Sequence, residues 1–266
     1  MRYGWITTNL LDLRAEPGHH SERISQLLFG ESIRVGKSES GFLRIRQMDG
    51  YSGWVDARFV ALIGSKQDYD GYCSCPRRVL VTSKTRIYNT SGRSVAPYVL
   101  YYGTHLAIKG KVKQLVRLNL PGRTGLFVKG RNLRPINSSN AKKVTGPRLV
   151  AEGRKFLGVP YLWGGVSPMG FDCSGLVQAV YGSYGLVLPR DTVDQVITGC
   201  EVAREGVRSG DLLFFDRHVA LAIDRNRFIH ASRGSGGVRI ESLSTEDADY
   251  RADLDREFVQ ARRVLQ

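Results

Sequence analysis

Residues 170–185, GFDCSGLVQAVYGSYG, carry the clearest structural signal in the C-terminal part of the chain. A cysteine, Cys173, stands at the head of an apolar run that stops at Gly185. Apolar side chains recur on one side of this run at helical spacing, which predicts a helix with one buried face: Leu176, Val177, Val180, Tyr181 and Tyr184. A free cysteine is most often a small buried hydrophobe, so Cys173 needs partners before it can be interpreted as a nucleophile.

The predicted position of Cys173 in the first helical turn favours chemistry at its sulfur. The positive end of the helix dipole favours the thiolate over the thiol. Backbone N–H groups of the first turn have no partner within the helix and can hold an oxyanion. The glycine-rich approach WGGVSPMGFDC, residues 163–173, lets the backbone come close to another group. We therefore expect a reactive thiol at this helix start.

Two histidines downstream of Cys173 lie in runs that predict neighbouring antiparallel strands. His218 opens HVALAID and His230 lies in RFIHAS, with the turn DRNR between them. Residues on such a pair can meet across the ladder, so one imidazole can take the thiol proton while the second orients it. The sequence predicts a Cys173–His218–His230 set, with satisfied core histidines as the alternative. No metal or cofactor is expected, because no ligand set accompanies the pair.

The rest of the C-terminal part predicts an α+β domain, residues 146–266. Two segments suit short helices, RLVAEGRKFLG and RDTVDQVITG, and four later runs read as successive strands: DLLFF, HVALAID, RFIHAS and VRIESL. Helices followed by an antiparallel meander are typical of α+β folds.

Upstream, the sequence predicts two small all-β barrels, residues 1–65 and 77–137. Short β-rich runs broken by turn signals indicate the first. The second repeats its plan: GESIRV is matched by GTHLAI, FLRI by LVRL and GWV by GLF, at offsets of 73, 73 and 72 residues. Two polar stretches suit linkers, GSKQDYDGYCSCPRR (64–78) and NSSNAKKVTGPR (137–148). We interpret the barrels as a duplicated module.

The charge is concentrated in the middle of the chain. The 266 residues carry a net charge of +14, yet residues 71–151 contain no acidic residue. Such a segment is expected to attract a polyanion, such as carboxylate-rich cell-wall material, nucleic acid or anionic lipid, or is simply a solvated basic surface. No nucleic-acid motif accompanies it, so specific nucleic-acid binding is not expected. Neither a membrane-spanning run nor an apolar leader is seen, which predicts a cytoplasmic protein, or a periplasmic or secreted one whose leader was removed.

The C-terminal part resembles the NlpC-type cysteine peptidases that cut bacterial peptidoglycan stem peptides. The likeness lies in VPYLWGGVSPMGFDCSGLVQAVYGSYGLVLPRDTVDQ, residues 159–195, and in GDLLFF, HVALAID and FIHAS. The likeness covers residues 147–266 and implies a papain-like α+β core. It implies Cys173 as nucleophile, His218 as base and His230 as its orienting partner. Ala220 stands where glycine is more usual.

The same resemblance marks six residues as lining a substrate cleft: Tyr161, Asp172, Ser174, Arg190, Asp191 and Thr192. Two of them have structural alternatives. Asp191 suits a helix N-cap, and Arg190 suits an ion pair with a nearby carboxylate.

The two barrels resemble bacterial SH3-like domains, and the three-domain order is similar to that of γ-D-glutamyl-L-diamino acid endopeptidases of cell-wall recycling. This resemblance implies that muropeptides are the substrates and that the first barrel gates them, with Glu16 and Tyr51 binding the free amine of L-Ala. The second barrel has Asn89 and Arg123 near the matching positions. Alternatively, Glu16 is a turn residue and Tyr51 a core residue. Other functions left open are wall binding, hydrolysis of intact peptidoglycan, and amidase or acyl-transfer chemistry.

Overall fold

The computed structural model describes residues 2–136 and 143–265, and the chain divides into two compact units, Met1–Asn137 and Ser138–Gln266. Part of the predicted second linker, residues 137–142, lies outside the described residues. Both barrels fall within the N-terminal unit, so the limits 1–65 and 77–137 stay a prediction about separate domains.

Seven antiparallel strands and one 3-10 turn, Ala57–Phe59, form the first barrel. The strands are Arg2–Ile6 (β1), Leu10–Arg14 (β2), Arg23–Leu28 (β3), Ser32–Glu39 (β4), Phe42–Arg46 (β5), Ser52–Asp56 (β6) and Val60–Ile63 (β7). They pair in the order β3-β2-β6-β5-β4-β1-β7. Alternating apolar residues such as Leu11 and Leu13 point into a common core, which is why these short runs pair as strands.

The second barrel repeats this topology. Its strands are Arg77–Leu80 (β8), Lys84–Tyr88 (β9), Ser94–Tyr101 (β10), His105–Val112 (β11), Leu115–Leu118 (β12), Phe127–Lys129 (β13) and Leu133–Pro135 (β14), with a 3-10 turn at Gly130–Asn132. They pair in the order β10-β9-β13-β12-β11-β8-β14, which is the first order with seven added to each strand. Gly30 and Gly103 precede matching strands with φ of 79° and 85°, a conformation that favours glycine in both copies.

The stretch between the barrels, predicted as a linker, contains a helix, Lys66–Cys73 (α1). Ser65 caps its start, and Tyr69 and Tyr72 are buried. The Tyr72 hydroxyl donates to the Gly30 carbonyl oxygen at 2.5 Å. These tyrosines share one apolar cluster with Trp5 of the first barrel and Leu80 of the second. The segment therefore packs between the two barrels and contributes to their shared core, which its polar composition did not indicate.

Over residues 143–265, the C-terminal unit combines four helices with short strands. The helices are Gly146–Arg154 (α2), Cys173–Gly182 (α3), Thr192–Gln195 (α4) and Ala252–Arg256 (α5). The strands are Val166–Ser167 (β15), Gly170–Phe171 (β16), Cys200–Val202 (β17), Leu212–Phe215 (β18), His218–Ala222 (β19), Arg227–Ser232 (β20), Gly237–Ser242 (β21) and Phe258–Arg263 (β22), and a 3-10 turn spans Arg204–Gly206. The sheet order β17-β22-β18-β19-β20-β21 is antiparallel throughout.

The predicted fold class, two small all-β barrels followed by an α+β domain, is confirmed. The predicted helix face is buried: Leu176, Val177, Val180, Tyr181 and Tyr184 are at most 9% exposed. The sequence analysis did not predict β22, which enters the sheet between β17 and β18. Each helix over residues 2–136 and 143–265 is too short or too polar to cross a bilayer.

Candidate active site

Helix α3 begins at Cys173 because Asp172 caps it. The Asp172 carboxylate accepts from the backbone N–H of Gly175 at 2.7 Å and from that of Gly164 at 2.9 Å. One side chain thus ties the first helical turn to the glycine-rich loop before it. Gly175 must be small, since a Cβ there would lie 2.1 Å from the carbonyl oxygen of Gly165. The Asp-Cys-Ser-Gly run therefore fixes where the cysteine sits.

The Asp172 carboxylate is also paired with a buried cation. Arg190 is 3% exposed and donates to the two carboxylate oxygens of Asp172 at 2.6 and 3.2 Å. It donates to the Ser174 hydroxyl oxygen as well, at 2.8 Å. The structure thus brings these three predicted cleft residues together beneath the helix start. For Arg190 the contacts are those of the ion-pair alternative, while the role of each residue in substrate binding stays a prediction.

The thiol of Cys173 lies against α4 and β19. Its sulfur lies 3.9 Å from the Thr192 Oγ1 atom, and the backbone N–H groups of Val219 and Ser174 act to lower its pKa. Burial, together with the negative charge of Asp172, raises the pKa of this thiol despite these donors. The helix dipole was expected to favour the thiolate, but the raised pKa means that the helix start alone does not produce one. A base must take the proton.

That base is available at the start of β19, one residue before Val219. His218 Nε2 lies 2.8 Å from His230 Nδ1, and His230 on β20 is fully buried. Burial, and next the neighbouring His230, lower the pKa of His218 to about 3. The imidazole is thus neutral at physiological pH and can accept a proton. Helix α3, which begins at Cys173, packs against β19, which begins at His218, while the catalytic roles of Cys173, His218 and His230 stay a prediction.

The histidine pair continues into an acid–base cluster that the sequence analysis missed. His230 Nε2 lies 2.8 Å from the Glu241 carboxylate on β21. The ring N–H is not aligned well enough for a conventional hydrogen bond, so the contact is chiefly electrostatic. Arg251 donates to the same carboxylate at 2.5 Å. Strand register is the signal that could have identified Glu241. His230 pairs with Arg239, so Glu241, two residues after Arg239, lies on the same face of the sheet as His230.

Tyr161 and Asp191 occupy the approaches to Cys173. Burial, and next the nearby sulfur of Cys173, raise the pKa of Tyr161 to about 12, so its hydroxyl is a donor at neutral pH. Asp191 is the N-cap residue of α4, and its carbonyl oxygen accepts from the N–H groups of Asp194 and Gln195 at 3.0 and 2.9 Å. The helix-cap alternative for Asp191 thus matches its backbone position.

Glu16 and Tyr51 lie in different surroundings within the first barrel. Glu16 is exposed in the turn between β2 and β3 and lines an open pocket of about 870 Å³ that also contains Lys37, Arg44 and Trp54. Tyr51 is half-buried and packs against the barrel core. Their predicted role in binding the amine of L-Ala stays a prediction.

Within residues 2–136 and 143–265, no three His, Cys, Asp or Glu side chains are grouped as metal ligands. Cys73, Cys75, Cys173 and Cys200 are all free thiols. Cys200 is exposed on β17.

Comparisons with known proteins match both parts of the chain. Residues 158–256 match the NlpC/P60 family, and residues 9–61 match the bacterial SH3 domain. A γ-D-glutamyl-L-lysine dipeptidyl-peptidase of Bacillus cereus is 27% identical over 98% of this chain and 81% of its own length. A probable endopeptidase NlpC homolog of Haemophilus influenzae is 33% identical over 65% of this chain and 88% of its own length.

The crystal structure of an NlpC/P60 family protein from Bacillus cereus superimposes with a TM-score of 0.85. It covers 99% of this chain and 100% of that chain at 23% identity, which supports the fold.

Proposed function

Because the chain is a member of the NlpC/P60 family of cysteine peptidases, we propose that it hydrolyses the γ-D-glutamyl to L-diamino acid bond of peptidoglycan stem peptides. One observation carries the chemistry: helix α3, which begins at Cys173, packs against strand β19, which begins at His218, and His218 Nε2 lies 2.8 Å from His230 Nδ1. The bond specificity is supported by the dipeptidyl-peptidase relative, whose match extends over nearly the whole chain.

Acylation begins from a neutral pair. The Cys173 thiol and the His218 imidazole are both uncharged at physiological pH, because burial raises the thiol pKa and lowers the imidazole pKa. His218 takes the thiol proton as the sulfur attacks the γ-carbonyl carbon, forming a tetrahedral oxyanion. The N–H of Cys173, free by its place at the helix start, is suited to stabilise that oxyanion.

Collapse of the intermediate breaks the amide bond. His218 returns the proton to the departing α-amine of the diamino acid, leaving a thioester on Cys173. Water then attacks the thioester with His218 as base, which releases the γ-carboxylate of D-Glu and restores the thiol. His230 keeps the His218 ring in place through both steps by the 2.8 Å contact.

The test is product analysis of L-Ala-γ-D-Glu-L-Lys and of its meso-diaminopimelate counterpart by mass spectrometry. We expect the free diamino acid and the dipeptide L-Ala-D-Glu, and no cleavage of the isomer linked through the α-carboxyl of D-Glu. Cys173→Ala should abolish turnover. Cys200→Ala is the matched control, because it removes an exposed thiol of the same unit. Turnover by Cys173→Ala would refute the proposal, as would cleavage of both isomers.

We further propose that released muropeptides with a free L-Ala amine are preferred over intact wall. Acetylation of that amine should then remove most of the activity, and intact sacculi should yield little product. Release of stem peptides from sacculi at the tripeptide rate would favour the wall-hydrolase alternative. Cytoplasmic localisation stays a prediction, which cell fractionation would test.

A further inference from the structure

We propose that Glu241 is a positioning residue of this peptidase: its carboxylate selects the tautomer of His230 and, through it, leaves His218 ready to accept the thiol proton. Its contact lies on the far side of the histidine pair from Cys173. Nε2 of His230 faces Glu241 at 2.8 Å, and Nδ1 of His230 faces His218 Nε2 at 2.8 Å. The proposal deepens the proposed function and rests on it for its kinetic consequence.

In the series Glu241, His230 and His218, each contact determines whether the next ring nitrogen carries a proton. A neutral imidazole carries its proton on one nitrogen and a lone pair on the other. A lone pair on His230 Nε2 would face an anionic oxygen at 2.8 Å, which is repulsive, so the proton belongs on Nε2. This holds although the N–H is not aligned for a conventional hydrogen bond. His230 Nδ1 is then an acceptor.

The consequence reaches His218 at the next contact. With His230 Nδ1 as acceptor, His218 Nε2 must carry the proton that fills the 2.8 Å contact. That leaves the lone pair of His218 on Nδ1, where it can take a proton from the thiol. The opposite tautomer of His230 would donate from Nδ1 and force the proton of His218 onto its own Nδ1. Such a His218 could not act as base through that nitrogen.

Burial makes this selection effective. His230 is fully buried, so solvent cannot substitute for the carboxylate. Burial would raise the pKa of Glu241, but its contacts with His230 and Ser235, together with the positive charge of Arg251, lower that pKa to about 2. The carboxylate is thus anionic wherever the enzyme is expected to work.

Glu241 is itself held in place by a second layer of polar contacts. Ser235 Oγ donates to its Oε1 atom at 2.6 Å, and Arg251 Nη1 donates to its Oε2 atom at 2.5 Å. Arg251 is fixed in turn by two bonds to Asp253, at 2.9 and 2.6 Å. The oxygen that faces His230 therefore has little freedom to move away.

The experiment compares Glu241→Gln with Glu246→Gln in the full-length chain. Glu246 is exposed and lies five residues further along, so its variant makes the same change of charge and shape away from the cluster. For L-Ala-γ-D-Glu-L-Lys, Glu241→Gln should lower kcat on the order of 10- to 100-fold, as loss of an orienting partner does elsewhere, with KM little changed. Glu246→Gln should match the parent protein.

A spectroscopic measurement separates positioning from a general loss of structure. In ¹⁵N-histidine NMR spectra of the parent protein, assigned with single histidine variants, His230 should be protonated at Nε2. In Glu241→Gln that preference should weaken. The inference is overturned if parent His230 carries its proton on Nδ1, or if Glu241→Gln keeps both the parent tautomer and the parent kcat.

These spectra need no substrate, so they decide the inference even if the tripeptide is not cleaved. They also do so if Glu241→Gln fails to fold, because the parent spectrum alone can contradict the assignment. Absence of tripeptide turnover with the expected tautomer would instead count against the proposed substrate only.

Discussion

Replacing Gly175 with alanine should displace the start of α3 and with it the nucleophile. A Cβ at this position would lie 2.1 Å from the carbonyl oxygen of Gly165, where ordinary contact begins near 3.4 Å, so the two backbones must separate by about 1.3 Å. Neither atom belongs to a flexible side chain. Overpacking of this kind typically costs 1–3 kcal/mol, and the rigidity of the contact puts the expected loss at about 3 kcal/mol.

The matched control is Gly182→Ala at the other end of the same helix. A Cβ there meets nothing within 4 Å, so alanine should be neutral or gain about 0.5 kcal/mol from helix propensity. Urea-dependent hydrogen exchange, read by mass spectrometry on peptides from the C-terminal unit, measures the free energy of unfolding of that unit separately from the barrels.

Turnover of the tripeptide should fall with the stability, because Asp172 ties the same helical turn to the loop that must move. If Gly175→Ala were as stable and as active as Gly182→Ala, the close approach of the two backbones would not be what sets the helix start.

Three further predictions concern charge. The pKa of His218 is about 3 in the folded protein and ordinarily 6.5, so the free energy of unfolding should fall as the pH drops below 6.5. In denaturant titrations between pH 6.5 and about 4.5, His218→Gln should make this pH dependence less steep. An unchanged dependence would contradict the lowered pKa of His218. Arg190→Met should cost about 3–5 kcal/mol in urea unfolding, because it leaves the Asp172 carboxylate buried without its cation, and a loss under about 1 kcal/mol would contradict this. Glu16→Gln should lower kcat/KM for the free-amine tripeptide but not for its N-acetyl form, and equal effects on both would remove Glu16 from amine recognition.

Local signals made much of the fold predictable. The apolar residues after Cys173 have helical spacing and are buried, four of them on α3 and Tyr184 just beyond its end, and the runs around His218 and His230 are adjacent strands as expected. The 73-residue offset between the copies corresponds to two sheets with the same strand order. These patterns are readable because periodicity and turn residues act over a few positions.

Other features depended on contacts between distant segments. The stretch around Tyr69 and Tyr72 looked like a polar linker, yet it buries both rings in a core shared by the two barrels. Strand β22 joins the sheet beside β18, a pairing of segments more than 40 residues apart along the chain. Neither the burial of these tyrosines nor the pairing of β22 with β18 can be predicted from local amino-acid composition.

At the candidate site, the residue types and their order were readable from the sequence: a cysteine at a helix start, then two strand histidines. The tertiary structure decided their electrostatics. Packing of β19 against α3 partly buries Cys173 and His218, which raises one pKa and lowers the other, so both begin neutral. Strand register places Glu241 behind His230, because side-chain neighbours across a sheet are set by pairing rather than by position in the chain.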